Sequence, residues 1–347
     1  MTMDGHNLDI GALENHLQAH LPGIQLPLAV DRFADGQSNP TYRLTGGDGT
    51  RYVLRKKPSG ALLPSAHAVE REYRVIAALR DTGVPVAPAL HLCDDSAVVG
   101  TPFYVMGFVD GRVFWDPTLP DLSNPERTAL YDDINRVIAT LHGLDPAAIG
   151  LADYGKPSDY LARQIARWSR QYRASETDPQ PAMDRLIEWL PGQIPGAAAT
   201  RIVHGDLRMD NLIIHPTEPR VLAILDWELS TLGDPLADFS YHMLTWHLRA
   251  NEFRGMAGAD LPGLGIPGAD AYLARYAERS GLGAPAPEVW EVYLIYNLFR
   301  LAAILQGIAR RVDEGTAASA NARETGAKAR PIAELAWRRA QQRLGAT

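Results

Sequence analysis

The stretch His204-Gly205-Asp206-Leu207-Arg208-Met209-Asp210-Asn211, with Ile224-Leu225-Asp226-Trp227 a short way on, decides how this chain reads. Four fixed letters (His, Gly, Asp, Asn) at this spacing arise by chance in roughly one chain of this length in several hundred, at ~1/20 per letter and position. Between the two segments, Leu212-Ile213-Ile214 and Val221-Leu222-Ala223-Ile224-Leu225 flank the turn Pro216-Thr217-Glu218-Pro219. That pattern predicts a β-hairpin, which would bring Asp226 out beside Asn211. Asp206 is then a carboxylate suited to taking a proton from a hydroxyl, while Asn211 and Asp226 offer the hard oxygen donors that Mg²⁺ prefers. A transferring γ-phosphoryl group carries its charge on peripheral oxygens and needs a cation, cationic side chains and an orienting base. The segment therefore points to transfer from Mg-ATP to a hydroxyl, with Asp206 as base and Asn211 and Asp226 as metal ligands. Bare turn formers would account for the loop, but not for the apolar hairpin or the acid at its exit. His204 reads as a residue that packs and hydrogen-bonds to hold the loop.

Composition sets the frame. A chain of 347 residues exceeds one ordinary domain and suits two lobes. Hydrophobic content of 46% with 22% charged residues is that of a globular protein with well-filled cores. A formal charge of −7, with no basic run outside helical context, argues against nucleic acid as a partner. Cys93 is the single cysteine, so no disulfide within the sequence and no cysteine zinc site is expected. Met1–Ile10 is polar and acidic, and no uninterrupted apolar stretch reaches bilayer length. No membrane partner and a cytoplasmic address are the expectation.

Periodicity divides the chain. Residues 8–20 read as a helix, and Leu28–Phe33, Tyr42–Leu44 and Tyr52–Leu54 alternate as strands, the last two joined by the turn Thr45–Thr50. Helical spacing follows over 65–80 through Val69, Tyr73, Ile76 and Leu79, then strand patterns at Ala89–Cys93 and Phe103–Phe108. Beyond, helices are predicted near 125–143, 158–174, 181–190, 234–251, 269–281, 286–312 and 330–344, with the Gly/Pro-rich Gly255–Gly268 as a mobile loop. The expected fold class is α+β: a small antiparallel β-rich lobe over 1–108 and a larger, mainly helical lobe over 109–347. Gly36-Gln37-Ser38-Asn39 joins two predicted strands with small residues whose backbone N–H groups can approach phosphates, although an ordinary hairpin turn has the same look.

His204-Gly-Asp-Leu-x-x-x-Asn211 with Leu-Asp226-Trp227 resembles the catalytic loop and metal segment of the aminoglycoside phosphotransferase and choline kinase superfamily, which has a protein-kinase-like fold. The closer resemblance is to the kinase-like branch related to the N-terminal region of certain acyl-CoA dehydrogenases. It is carried by Phe33-x-x-Gly36-Gln37-Ser38-Asn39-Pro40-Thr41-Tyr42, Tyr52-Val53-Leu54-Arg55-Lys56-Lys57-Pro58, Glu70-Arg71-Glu72-Tyr73 and Gly233-Asp234-Pro235-Leu236-Ala237-Asp238, and it spans residues 25 to 340. The resemblance implies that Gly36, Gln37, Ser38 and Asn39 meet the ATP phosphates. It also places Arg55, where relatives carry lysine, as the phosphate grip oriented by Glu72, with Lys56 the alternate. Met106 and Phe108 would border the adenine. Asp234 and Asp238 read as structural, Asp234 as a helix cap.

The resemblance further sets the acceptor against the helical lobe, where Trp246, His247, Tyr293, Asn297 and Arg300 are the candidates. Tyr293, Asn297 and Arg300 share one helix face, and a buried arginine must find an anion, Asp238 being one choice. No clustered acidic wall suits a polycation, so a hydroxy acid or hydroxyacyl thioester fits better than an aminoglycoside or a choline-like alcohol. A non-catalytic nucleotide-binding protein is the rival reading; it is favoured only by the arginine at position 55.

Overall fold

The computed structural model describes residues 8–33, 39–58, 68–196, 199–317 and 319–345. β1 (Ala29–Arg32), β2 (Thr41–Thr45), β3 (Arg51–Lys56), β4 (Ala89–Cys93) and β5 (Phe103–Gly107) make one antiparallel sheet in the order β1-β2-β3-β5-β4. Alternation along β3 sorts its side chains onto two faces. Leu54 joins Leu44, Phe103 and Val105 in a buried cluster with Leu13 and Leu17 of α1 (Ile10–His20). Asp9 caps α1, accepting from the Ala12 N–H at 3.0 Å. α2 (Val69–Leu79) packs on β4 and β5 through its apolar face and pairs Glu72 with Arg55 of β3. Lys56 is buried, and its Nζ donates to the Val99 carbonyl of the short α3 (Ser96–Val99) at 2.7 Å. Of Arg55 and Lys56, it is Arg55 that pairs with the helix glutamate.

The helical remainder comprises α4 (Asn124–Gly143), α5 (Tyr160–Ser175), α6 (Pro181–Trp189), α7 (Pro235–His242), α8 (Leu244–His247), α9 (Ala250–Phe253), α10 (Ala269–Ser280), α11 (Pro287–Asp313), α12 (Ala322–Ala327) and α13 (Ala329–Gly345). α11 is its hub, packing on α5, α7, α12 and α13. By length and composition α11 could cross a membrane, which the sequence reading did not allow for, but 83% of its apolar window is buried and it is a core helix. Four further short strands lie among the described residues: β6 (Arg201–Val203), β7 (Leu212–Ile214), β8 (Val221–Ile224) and β9 (Thr231–Gly233). β6 pairs with β9 and β7 with β8, both antiparallel.

Two compact units result. The first holds residues to Arg112 together with 212–217 and 221–230; the second holds 113–211, 218–220 and 231–347. The β7–β8 hairpin belongs to the first because Ile214 and Arg112 exchange backbone hydrogen bonds and the Ile224 N–H donates to Pro85. Position 111 has to be glycine, since a Cβ there would lie 2.3 Å from Ile213 Cγ2.

Two expectations about the helical part are corrected. The single helix expected over 234–251 is three, because the chain folds back on itself: the Met256 and Ala257 N–H groups take the carbonyls of Thr245 and Leu248. This return runs so close that a Cβ on Gly255 would sit 1.8 Å from the Leu248 oxygen. Gly255–Gly268, expected to be mobile, is tied to α4: Asn124 Nδ2 donates to Gly263 O at 2.7 Å and Thr128 Oγ1 to Gly265 O at 2.6 Å.

Candidate active site

In the first unit, three carboxylates surround one guanidinium. Arg55 lies 3.1 Å from Glu72, 2.9 Å from Asp226 and 3.5 Å from Glu228. Glu72 is fixed further by Asn39 Nδ2 at 2.8 Å and the Tyr104 hydroxyl at 3.2 Å. Burial, reinforced by the charges of Asp226 and Glu228, pushes Glu72 up to about 7 against the pull of Arg55. Burial alone would lower Arg55, but Glu72 and the other acids hold it above its ordinary value.

Between the ordinary value of 4.5 and about 7, the folded chain keeps a proton on Glu72 that the unfolded chain has released. The stability this provides is complete below the unfolded value and disappears as pH rises through about 7; the change is on the order of 3 kcal/mol. Denaturant midpoints should therefore fall between pH 5 and pH 8, and Glu72→Gln should flatten the profile. An unaltered slope in the variant would place the titration elsewhere.

Asp226 follows β8 in a left-handed conformation (φ +64°), unusual for a residue with a side chain. The conformation is enforced by what comes next: the Trp227 indole is buried and donates to the Ile224 carbonyl at 3.0 Å. One Asp226 oxygen faces Arg55, and its carboxylate is one-third exposed. Leu212 lies opposite Ile224 in the hairpin, so the chain enters β7 directly from Asn211 and leaves β8 two residues before Asp226.

In the second unit, the segment from His204 to Asn211 is held from below by Asp238. This buried carboxylate accepts the N–H groups of His204 at 2.7 Å and Gly205 at 2.9 Å, and takes His142 Nε2 at 3.2 Å. Burial would raise Asp238, but those hydrogen bonds and the neighbouring imidazoles hold it below its ordinary value. His204 is buried, and its Nδ1 accepts from the Asp206 N–H at 3.2 Å. Asn211 Nδ2 donates to the Asp206 carbonyl at 2.8 Å and to its carboxylate at 3.2 Å. The Asn211 oxygen is left as a donor suited to a cation. Arg208 also reaches Asp206 at 3.2 Å, and the Tyr241 hydroxyl donates to it, the phenol being pushed up to about 12 by burial and the Asp206 charge.

A cavity in this unit begins at Arg208, Met209 and Asp210 and is walled by Trp115, Tyr241, Leu248 and Arg254. Arg254 binds Asp210 at 2.6 Å and lies 4.6 Å over the Trp115 ring. The residues expected to form the acceptor wall do not line this cavity; Tyr293 lines another, with Tyr160 and Asp234. Trp246 stacks on Tyr272 and donates to Pro267; Tyr293 donates to Asp234; Asn297 holds the Ala237 carbonyl and Ser240. His247 is largely buried, and that burial pushes it down to about 4. Arg300 finds a carbonyl, that of Gly205, instead of the expected Asp238, with its guanidinium 4.3 Å over Tyr241. The polar stripe of α11 thus secures α7 and the loop at Gly205. Asp234 caps α7 by accepting from Leu236 at 3.0 Å.

Of the nucleotide residues read from the sequence, Gly36, Gln37 and Ser38 lie outside the described residues. Asn39 serves Glu72. Met106 sits at the end of β5 opposite Val53, while the Gly107 and Phe108 N–H groups already donate to Pro88 and Arg51. Glu228, Tyr241, Asp210, Arg254 and Trp115 were not singled out from the sequence. Only Glu228 left a signal, as a second acid two places after Asp226.

Fold and loop together define a small-molecule phosphotransferase with a kinase-like fold. The profile of the phosphotransferase enzyme family matches residues 29–293, and the chain belongs to that family. It is 46% identical over 332 residues to mouse acyl-CoA dehydrogenase family member 10, covering 94% of this chain and 30% of that relative; the chain thus spans less than a third of the relative's length. A crystal structure from Ralstonia eutropha JMP134, of a candidate aminoglycoside phosphotransferase, is similar at 52% identity and a TM-score of 0.88, covering 96% of this chain and 99% of that one. An amicoumacin kinase solved with AMP-PNP and Ca²⁺ shares the fold at 16% identity and a TM-score of 0.59, covering 94% of this chain and 93% of that one.

Proposed function

We propose that the protein transfers the γ-phosphoryl group of Mg-ATP to the hydroxyl of a small acyl-bearing anion, a hydroxy acid or hydroxyacyl thioester. The observation that carries this reading is the Asp206 carboxylate, held by Asn211, Arg208 and Tyr241, the last two of which line a cavity with aromatic walls and two arginines. Asp206 orients the acceptor hydroxyl and takes its proton as the oxygen attacks. The side-chain oxygens of Asn211 and of Asp226 are each of the kind that would hold Mg²⁺, which when bound would offset phosphate charge. Arg55, kept cationic by Glu72, contacts the nucleotide phosphates. The AMP-PNP and divalent cation of the amicoumacin kinase support nucleotide and metal use.

The acceptor class rests on the cavity. Its single acid, Asp210, is already bound to Arg254, and Arg208 lies 3.4 Å away, so nothing there invites a polycation. Likeness to an acyl-CoA dehydrogenase family member agrees with an acyl acceptor. Incubation with labelled ATP and a panel of hydroxy acids, hydroxyacyl thioesters, choline-like alcohols and aminoglycosides tests this directly. Arg254→Gln should raise KM for the anionic acceptors about tenfold or more with kcat little changed, the effect of one lost charged hydrogen bond. Turnover confined to aminoglycosides would overturn the assignment.

A further inference from the structure

Away from this chemistry, three imidazoles meet in the first unit. His16 and His20 stand one turn apart on α1, and His91 projects from β4. One nitrogen from each lies within 4.8 Å of the other two, the sole such histidine group among the described residues. His16 Nε2 and His91 Nε2 are 2.9 Å apart, while the rings of His16 and His20 stack at 4.2 Å. His20 Nδ1 donates to the His16 carbonyl at 2.8 Å, which fixes its tautomer and leaves Nε2 as the ligating atom.

We propose that His16, His20 and His91 bind a divalent transition-metal ion, Zn²⁺, that staples α1 to β4. Zinc holds imidazole nitrogens at ~2.0–2.1 Å, so tetrahedral ligands stand ~3.3 Å apart. The closer pair is near that spacing already, and exposed His20 needs to move inward by about 1.5 Å at most. Ligation requires neutral rings. Burial pushes both His16 and His91 below the ordinary histidine value, their histidine neighbours adding to the effect. The charge of nearby Asp95 acts on His16 and favours a cation. An all-imidazole set suits zinc and its neighbours and not Mg²⁺, so this ion is distinct from the one that serves phosphoryl transfer. Three protein ligands leave a fourth position to water, as the outward-facing His20 permits.

Calorimetry of metal-stripped, tag-free protein with Zn²⁺, alongside thermal melts with and without the ion, provides the test. The expected result is one Zn²⁺ per chain at micromolar affinity or better, with a rise in Tm. His20→Ala, an exposed change on α1, should weaken binding about tenfold or more and remove the rise in Tm, and His91→Gln should do the same. Absence of stoichiometric binding to the wild type, or binding unchanged in His20→Ala, would overturn the site.

Discussion

Asp206→Asn should lower kcat by about 10²–10⁴-fold, the range a positioned acid–base group contributes, while leaving the affinity for Mg-nucleotide in place. The amide has the volume of the carboxylate and keeps one oxygen for Asn211, Arg208 or Tyr241, so the loop has no reason to collapse. It cannot take a proton. The loop's backbone is fixed independently by Asp238, which receives the His204 and Gly205 N–H groups. Loss of turnover with unchanged melting and unchanged nucleotide binding is therefore the expected signature. Full turnover in the variant would remove Asp206 from its role and leave the loop merely structural.

The second large effect concerns Asp226. Asp226→Asn keeps a residue type that tolerates the left-handed backbone, so the change falls on charge and not on conformation. Affinity for nucleotide in the presence of Mg²⁺ should drop by on the order of 100-fold, since replacing even outer-shell partners of a metal costs 10- to 100-fold. The protein without nucleotide should behave in the opposite way. Removing one of three acids around Arg55 relieves the repulsion that adds to burial in pushing Glu72 up to about 7, so stability at pH 8 should be retained or raised. General unfolding cannot produce that pair of results.

Much of this was legible from residue order. Alternation located all five strands of the sheet, and the hairpin after Asn211 followed from two apolar runs about a Pro-rich turn. His204 as a loop holder and Asp234 as a helix cap were equally readable, because both act on backbone within a few residues. The lining of the cavity proposed for the acceptor was not. Tyr293, Asn297 and Arg300 share a helix face, but periodicity cannot say what that face meets; its hydrogen bonds go to Asp234, to α7 and to Gly205. Arg254 and Trp115 come together with Asp210 only through tertiary folding, across sequence separations that leave no local pattern. The break in the helix after His242 depends likewise on the return of the chain at Gly255. The histidine trio shows the same limit: His16 and His20 announce a helix face, and His91 joins them only through sheet packing.

The most direct test of the phosphotransferase account is calorimetric titration of the wild type and Asp226→Asn with a non-hydrolysable ATP analogue, each with and without Mg²⁺. The account predicts that Mg²⁺ strengthens binding to the wild type by a large factor and that this strengthening is lost in the variant. Nucleotide binding indifferent to Mg²⁺ in the wild type, or enhanced equally in both proteins, would contradict it.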